Sequence, residues 1–390
     1  MIFINGPNSR RSQNSSTEGR PVQSSAAVPE PRSTSAGAID RSSINPSVPD
    51  PSSPSPIHAK HPNLVQPFTG LEIDNLRLMR HFCTHAWLSI VSEPDGSINA
   101  DYQDLWCNIV PELAFAHPFL LHALLAVSAV HLVLTDPSSN STATSASGSV
   151  ANLAQHHHLQ SLPLLTGALS APADATMTTA LFAAAALMAL FAFGHSQIPT
   201  DSTSLAALST INDFAQALTI LRGMSAIVHS APGSLESTPF KVMFPREPSD
   251  PTVPLSPATE GYFAGLKAAH ARTIWPGGHG QAEAYAAAIE ILRYTFLLYR
   301  EEPGRQGAAV PFAVFLPELV LSGIREYQPI ALCLLAGYAT ILHWLKKDLW
   351  IQGWGRRVMD GLRAGLGGSE WEEVIAWPWQ VVGSDAVYPS

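Results

Sequence analysis

From Phe68 onward, apolar residues recur at helical spacing. Leu76, Met79, Cys83, Ala86 and Ile90 follow one another by three and four, which predicts a helix with these residues on one face. A second helix is predicted from Tyr102 to about Phe115, with Asp101 as its N-cap. A wholly apolar third begins after Pro118. Further runs fall near 151–162, 175–194, 203–228 and 258–273, then at 281–300, 311–324, 328–348 and 354–364. Within 281–300, Tyr285, Ile289, Leu292, Phe296 and Tyr299 share one face, with Glu283, Glu290 and Arg293 off it. The alternation that makes strands and hairpins is not found, and neither is a repeat of solenoid period. The pattern reads as one all-α domain of about twelve helices over residues 67–390.

Residues 1–66 are of different material. They hold 14 Ser and 10 Pro, with six Arg or Lys against four Asp or Glu. Runs such as Pro46-Ser47-Val48-Pro49-Asp50-Pro51 forbid helix propagation. So few apolar groups do not offset the entropy of ordering, so a disordered Ser/Pro-rich tail is expected. Pro137–Val150 reads as a Ser/Thr-rich loop, and the proline-rich Pro232–Pro257 as a long surface excursion.

Composition sharpens this picture. The chain has 390 residues, of which 46% are hydrophobic and only 14% charged, against roughly 25% charged in ordinary soluble proteins. Most of its length must therefore avoid water. Three stretches lack Asp, Glu, Lys and Arg altogether: Leu113–Thr135, Ala175–Thr200 and Gln328–Leu345. They approach the ~20 apolar residues of a spanning helix. Interrupting His117, Pro118, His122 and His131, the Gly194-His195 break and the following Lys346-Lys347-Asp348 favour helices buried in a large core, with no membrane span. The net charge of −9 speaks against a basic module that neutralises phosphates unaided. Three distant cysteines, Cys83, Cys107 and Cys333, make no disulfide framework and point to a reducing, intracellular setting.

Catalytic patterns are sparse. Gly277-Gly278-His279-Gly280 lacks the Lys-Ser/Thr of a phosphate-cradling loop. Glu301-Glu302 and Glu372-Glu373 are adjacent pairs whose side chains diverge, so they read as solvated charge. His81 and His85 lie one helical turn apart, a spacing that can chelate a metal. His117, His122, His131 and the run His156-His157-His158 add to the histidine count. A third carboxylate or thiolate at matching spacing is missing, so structural histidines are expected and no metal or cofactor is assigned. Six of the nine tryptophans fall within 36 residues: Trp344, Trp350, Trp354, Trp371, Trp377 and Trp379. Such a group either packs the last helices or lines a concave apolar pocket.

Four stretches together resemble a known family. They are Leu71–Phe82; Trp106–Ala126, with Pro111-Glu112-Leu113-Ala114-Phe115 and His117-Pro118-Phe119-Leu120; Leu221-Arg222-Gly223-Met224; and Tyr327–Leu332 running to Trp350–Trp354, closing with Trp371, Val374-Ile375 and Trp377-Pro378. They look like the regulatory domain of fungal zinc binuclear cluster transcription factors, in the branch of the sterol-uptake regulators. The likeness covers about residues 68–380.

The resemblance implies an all-α regulatory domain, a transcriptional regulator that is nuclear and shuttles with the cytoplasm, and no enzymatic activity. It also implies a protein partner in a transcription complex and an apolar ligand such as a sterol. The lining expected for that ligand is Trp344, Trp350, Gly353 and Trp354. The family usually opens with six cysteines that hold two zinc ions and contact DNA. This sequence has no cysteine before Cys83, so no direct nucleic-acid binding by this chain is expected. Either the domain acts without its own reader, or an upstream exon encodes one. Members of this shape often belong to secondary-metabolite gene clusters. Two rival readings stay open: a co-regulatory or dominant-negative interaction module, and a catalyst that uses the histidines of the helical scaffold.

Overall fold

Thr69 opens the first helix. Its hydroxyl accepts from Glu72 N at 3.2 Å while the Glu72 carboxylate accepts from Thr69 N at 2.6 Å, a reciprocal cap. The computed structural model describes residues 69–91, 96–141, 149–170, 174–198, 206–230, 239–243, 250 and 252–384. The tail expected over 1–66 lies outside them. Helix α1 (Gly70–His81) passes through a π-helical turn (Phe82–Ala86) into α2 (Leu88–Val91). Then α3 (Ala100–Gln103) runs through a second π turn (Asp104–Ile109) into α4 (Val110–Ala116). After them come α5 (Pro118–Thr135), α6 (Val150–Leu169), α7 (Ala175–His195) and α8 (Ala206–Ser230). The chain continues through α9 (Pro257–Arg272), α10 (Gly278–Glu301), α11 (Val310–Phe315) and α12 (Glu318–Arg325). It closes with α13 (Pro329–Trp344), α14 (Trp354–Leu366) and α15 (Glu372–Gly383). The described residues form no β-strand.

The all-α expectation holds, with more segments than the dozen predicted. The surplus arises where predicted helices break and where one was missed. Pro317 cannot continue a helix from Leu316, so the predicted run 311–324 becomes α11 and α12, bent by 93°. Arg222 of α8 stitches this bend: its Nε donates to Leu316 O at 2.9 Å, and its guanidinium pairs with Glu318. The missed helix is α15, which carries Pro378 inside it. Conversely α6 runs on through Pro163 to Leu169.

Two local expectations are corrected. Asn99, not Asp101, caps α3; its side chain accepts from Asp101 N at 2.8 Å, which leaves Asp101 in the first turn where the helix dipole favours an anion. The buried line of α1 is also rotated from the predicted face. It runs Asp74, Leu78, Phe82, Ala86, while Leu76 is 61% exposed. The wider π turn at Phe82–Ala86 holds the line at a spacing of four. In α10 the predicted face is the buried one.

Two hydrophobic clusters form the interior. The first gathers Leu78, Phe82, Trp106, Leu124 and Phe182 around α5. Phe240 joins it from a short 3-10 turn (Pro239–Met243), so part of the predicted surface excursion docks into the core. The second cluster gathers Phe214, Phe296, Leu334 and Val358 around α13, which is buried from Ile330 to Trp344. Helix α7 serves both, giving Phe182 and Phe191 to the first and Phe193 to the second. By length and composition α5 and α7 could each cross a membrane; here 67% and 83% of their apolar windows are buried inside the protein.

Candidate functional site

A cavity of about 180 Å³ opens where the two clusters meet. Trp106, Phe182 and Trp350 face it from the first cluster, and Phe193, Tyr338 and Leu342 from the second. Most of its wall is carbon, and Arg305 and Gln306 add polar groups to it. Tyr338, the hydroxyl-bearing residue among these, is already engaged: its OH donates to Ala309 O at 3.0 Å. Such a space favours an apolar occupant, because area withdrawn from water contributes about 25 cal/mol per Å².

One side of the wall is laid down by the segment 345–353 between α13 and α14. Asp348 shapes it. Its Oδ1 accepts from Trp350 N at 2.9 Å and Ile351 N at 3.1 Å, while Gln306 Nε2 donates to its other oxygen. Burial pushes this carboxyl up to about 7, because withdrawal from water outweighs the two backbone donors that favour the anion. Gln306 also donates to Ser89 O at 3.3 Å, and Trp350 Nε1 to Ser89 Oγ at 3.1 Å. Gln197, in the turn after α7, holds the same segment, its Nε2 donating to Leu349 O at 3.2 Å and Trp350 O at 2.7 Å. The segment is thus pinned to both clusters. Gly353 ends it with φ +77°, a left-handed turn that glycine adopts without strain.

The four residues expected to line a ligand site do not converge. Trp350 is in the cavity wall. Trp354 is buried elsewhere, its Nε1 donating to Phe193 O at 3.1 Å and its ring stacked under the Arg357 guanidinium at 4.3 Å. Trp344 packs among Phe296, Tyr299 and Trp377. Gly353 is exposed. Of the two roles open to the tryptophan group, Trp344 and Trp354 fill the core and Trp350 faces the cavity. Trp106, Phe193, Gln306 and Tyr338 also line the cavity, and nothing in their local sequence says which helices meet at a seam.

The histidines pair with one another. His81 Nε2 and His131 Nδ1 share a hydrogen bond of 2.9 Å across α1 and α5. His122 Nδ1 and His157 Nδ1 do the same across α5 and α6, and His157 Nε2 meets Asn75 Oδ1 at 2.9 Å. An amide oxygen only accepts, so His157 carries its proton on Nε2 and His122 donates through Nδ1. Burial first, and then the charge of neighbouring histidines, lowers His131 and His158 to about 4 and His157 to about 3. These rings are neutral members of the core at ordinary pH. His81 and His85 stack at 5.2 Å, and no three His, Cys, Asp or Glu among the described residues gather as a metal site.

Residues 77–229 match the profile described as "Fungal specific transcription factor domain". The chain is similar to the Sterol uptake control protein 2 of Saccharomyces cerevisiae, with 39% identity over 67 residues, 17% of this chain and 7% of that protein. It is also similar to the Sterol uptake control protein 2 of Candida albicans, with 28% identity over 214 residues, 53% of this chain and 26% of that protein. The chain thus spans about a quarter or less of the length of these relatives. The resemblance to fungal transcription factors is borne out, and the matched residues 77–229 hold the second and third stretches and part of the first. Three of those stretches supply cavity wall: Trp106 from the second, Leu221 and Met224 from the third, Tyr338, Leu342 and Trp350 from the fourth.

Proposed function

We propose that this chain is the regulatory body of a fungal transcription regulator, and that it senses an apolar small molecule in the seam cavity. The observation that carries the reading is the coincidence of a transcription-factor domain match over 77–229 with a largely apolar cavity between two cores. A molecule seated there contacts both clusters at once, so its binding energy biases how they pack. The sterols in the relatives' name are the first candidates. The regulator works in the nucleus, and its part in gene control is binding rather than catalysis.

Fusion of the chain to a heterologous DNA-binding domain tests this. Reporter transcription should shift several-fold from that of the DNA-binding domain alone. Ala189→Phe, which fills the cavity wall, should alter the shift. No shift relative to the DNA-binding domain alone overturns the reading.

One observation favours docking of a partner in addition. The far end of α6 leaves Leu159, Leu162, Leu164 and Leu169 between 38% and 54% exposed. Co-elution with a cluster-bearing relative, lost on Leu162→Lys with Leu169→Lys, is the expected sign of such a role.

A further inference from the structure

The polar side chains of the seam cavity are few, and most are committed to the protein itself. Tyr338 OH donates to Ala309 O, Trp350 Nε1 to Ser89 Oγ, and Gln306 Nε2 to Ser89 O and Asp348. The Trp106 indole N–H is sealed away from any open space. That leaves Arg305, with Tyr102 beside it, to meet a polar group on an occupant. Among the described residues that line the cavity, Arg305 alone is charged.

Two contacts place its guanidinium. Cζ stands 5.9 Å from the centre of the Tyr102 ring, itself part of the wall, and Nη1 pairs with Glu302 at 2.6 Å. The backbone fixes the root of the side chain: Arg305 N donates to Glu302 O at 3.2 Å, and Arg305 O accepts from Ala308 N at 3.2 Å. The side chains of Arg305 and Glu302 are 26% and 48% exposed, so the pair marks a side of the cavity that reaches solvent. An ion pair so exposed is weak. A guanidinium is also a fork of several N–H donors. An arriving carboxylate can therefore share Arg305 with Glu302, or displace it, at little loss.

We infer that the seam cavity takes an amphipathic anion, with its apolar body in the seam and its carboxylate held at the mouth by Arg305. This rests on the reading of the cavity as a ligand site, and it adds the head group that the ligand carries. Burial of the body is non-directional; the charge decides which end stays outside. Dodecanoate, 1-dodecanol and dodecyltrimethylammonium share one chain and differ in the charge of the head. Cholesterol represents a neutral sterol. Equilibrium binding of each radiolabelled probe to the full chain is measured at pH 8, below the concentrations at which micelles form.

Dodecanoate is expected to bind about ten-fold tighter than dodecanol, with the ammonium compound weakest. Arg305→Gln should erase the gap between dodecanoate and dodecanol while leaving dodecanol within about two-fold. Glu302→Gln should tighten dodecanoate several-fold and leave dodecanol unchanged, because it removes the competing carboxylate; a merely structural role for the pair would not produce that gain. Both side chains lie on a surface turn, and the comparison of heads on the native chain decides even without the variants. Dodecanoate binding no tighter than dodecanol, or a gap that survives Arg305→Gln, overturns the anionic head; binding of dodecanol or cholesterol then leaves ligand sensing standing. Binding of none of the four probes overturns both this inference and the cavity reading beneath it.

Discussion

The indole of Trp350 lies against the bare α-carbon of Gly194. A Cβ built at position 194 would stand 2.9 Å from Trp350 Cε3 and Cζ3 and 2.7 Å from Val130 Cγ1. The small residue on α7 is what lets segment 345–353 press its tryptophan into the seam. Gly194→Ala is therefore expected to push Trp350 toward the cavity or strain α5, costing ~1–3 kcal/mol. Urea unfolding of the variant checks the figure, and unchanged stability would mean that Trp350 does not sit against α7.

Gln306 links three elements through one amide, reaching Ser89 O, Asp348 and the cavity wall. Gln306→Ala leaves a buried carboxyl without its side-chain partner. The expected loss is about 1–3 kcal/mol, measured by urea unfolding at pH 7. Gln306→Glu should be worse than Ala at pH 8, where it sets a second anion beside Asp348.

The fold itself was largely legible and the site was not. Helix faces such as Tyr285–Tyr299 follow from a period of 3.6, a local property that the sequence carries in full. Breaks were legible only where local chemistry forces them. Pro317 ends α11 by steric necessity, yet Pro163 and Pro378 stay within helices, so a proline alone does not mark a break. The π turns in Phe82–Ala86 and Asp104–Ile109 have no local signature, so a plain helical period misplaces the phase of α1 at Leu76. The cavity depends on which helices meet, and that is non-local. Trp344, Trp350 and Trp354 look equivalent in sequence; the segment shaped by Asp348 turns one of them toward the seam.

Acid should unfold this protein through its buried histidines. His131, His157 and His158 are held below their ordinary 6.5 in the fold, at about 4, 3 and 4. A group whose folded pKa is lowered in this way favours the fold while neutral. Its contribution is whole above pH 6.5 and is lost as pH falls toward the folded value. Each group therefore contributes up to ~1.4 kcal/mol of lost stability per pH unit in that window. His157→Asn retains polarity without a titrating ring, so a shallower fall between pH 6.5 and 4 is expected from pH-dependent urea unfolding.

Asp348 should act with the opposite sign. Its folded pKa is raised from 3.8 to about 7, so the fold prefers the proton. That contribution is whole below pH 3.8 and is lost as pH rises toward 7. Asp348→Asn removes the titration while its amide oxygen can still accept from Trp350 N and Ile351 N. Relative to the native chain, the variant should gain stability as pH rises from 5 to 8. A constant difference across that range would show that Asp348 titrates normally.

Trp350 and Trp354 offer the sharpest separation of packing from binding. Both are about 1% exposed and both use Nε1 as a donor, yet only Trp350 faces the cavity. Trp354→Phe deletes the bond to Phe193 O, which keeps Ser196 Oγ and Gln197 Nε2 as donors, so the expected loss is that of one hydrogen bond, about 1 kcal/mol of stability. It should leave reporter transcription by the DNA-binding-domain fusion unchanged. Trp350→Phe frees Ser89 Oγ and removes part of the cavity wall, so it should lower stability and also alter the reporter shift. Comparing the two variants is informative, because a change that merely follows destabilisation would appear in both. An equal change in the reporter shift from Trp354→Phe would place the sensing site in the α13–α14 core and away from the seam.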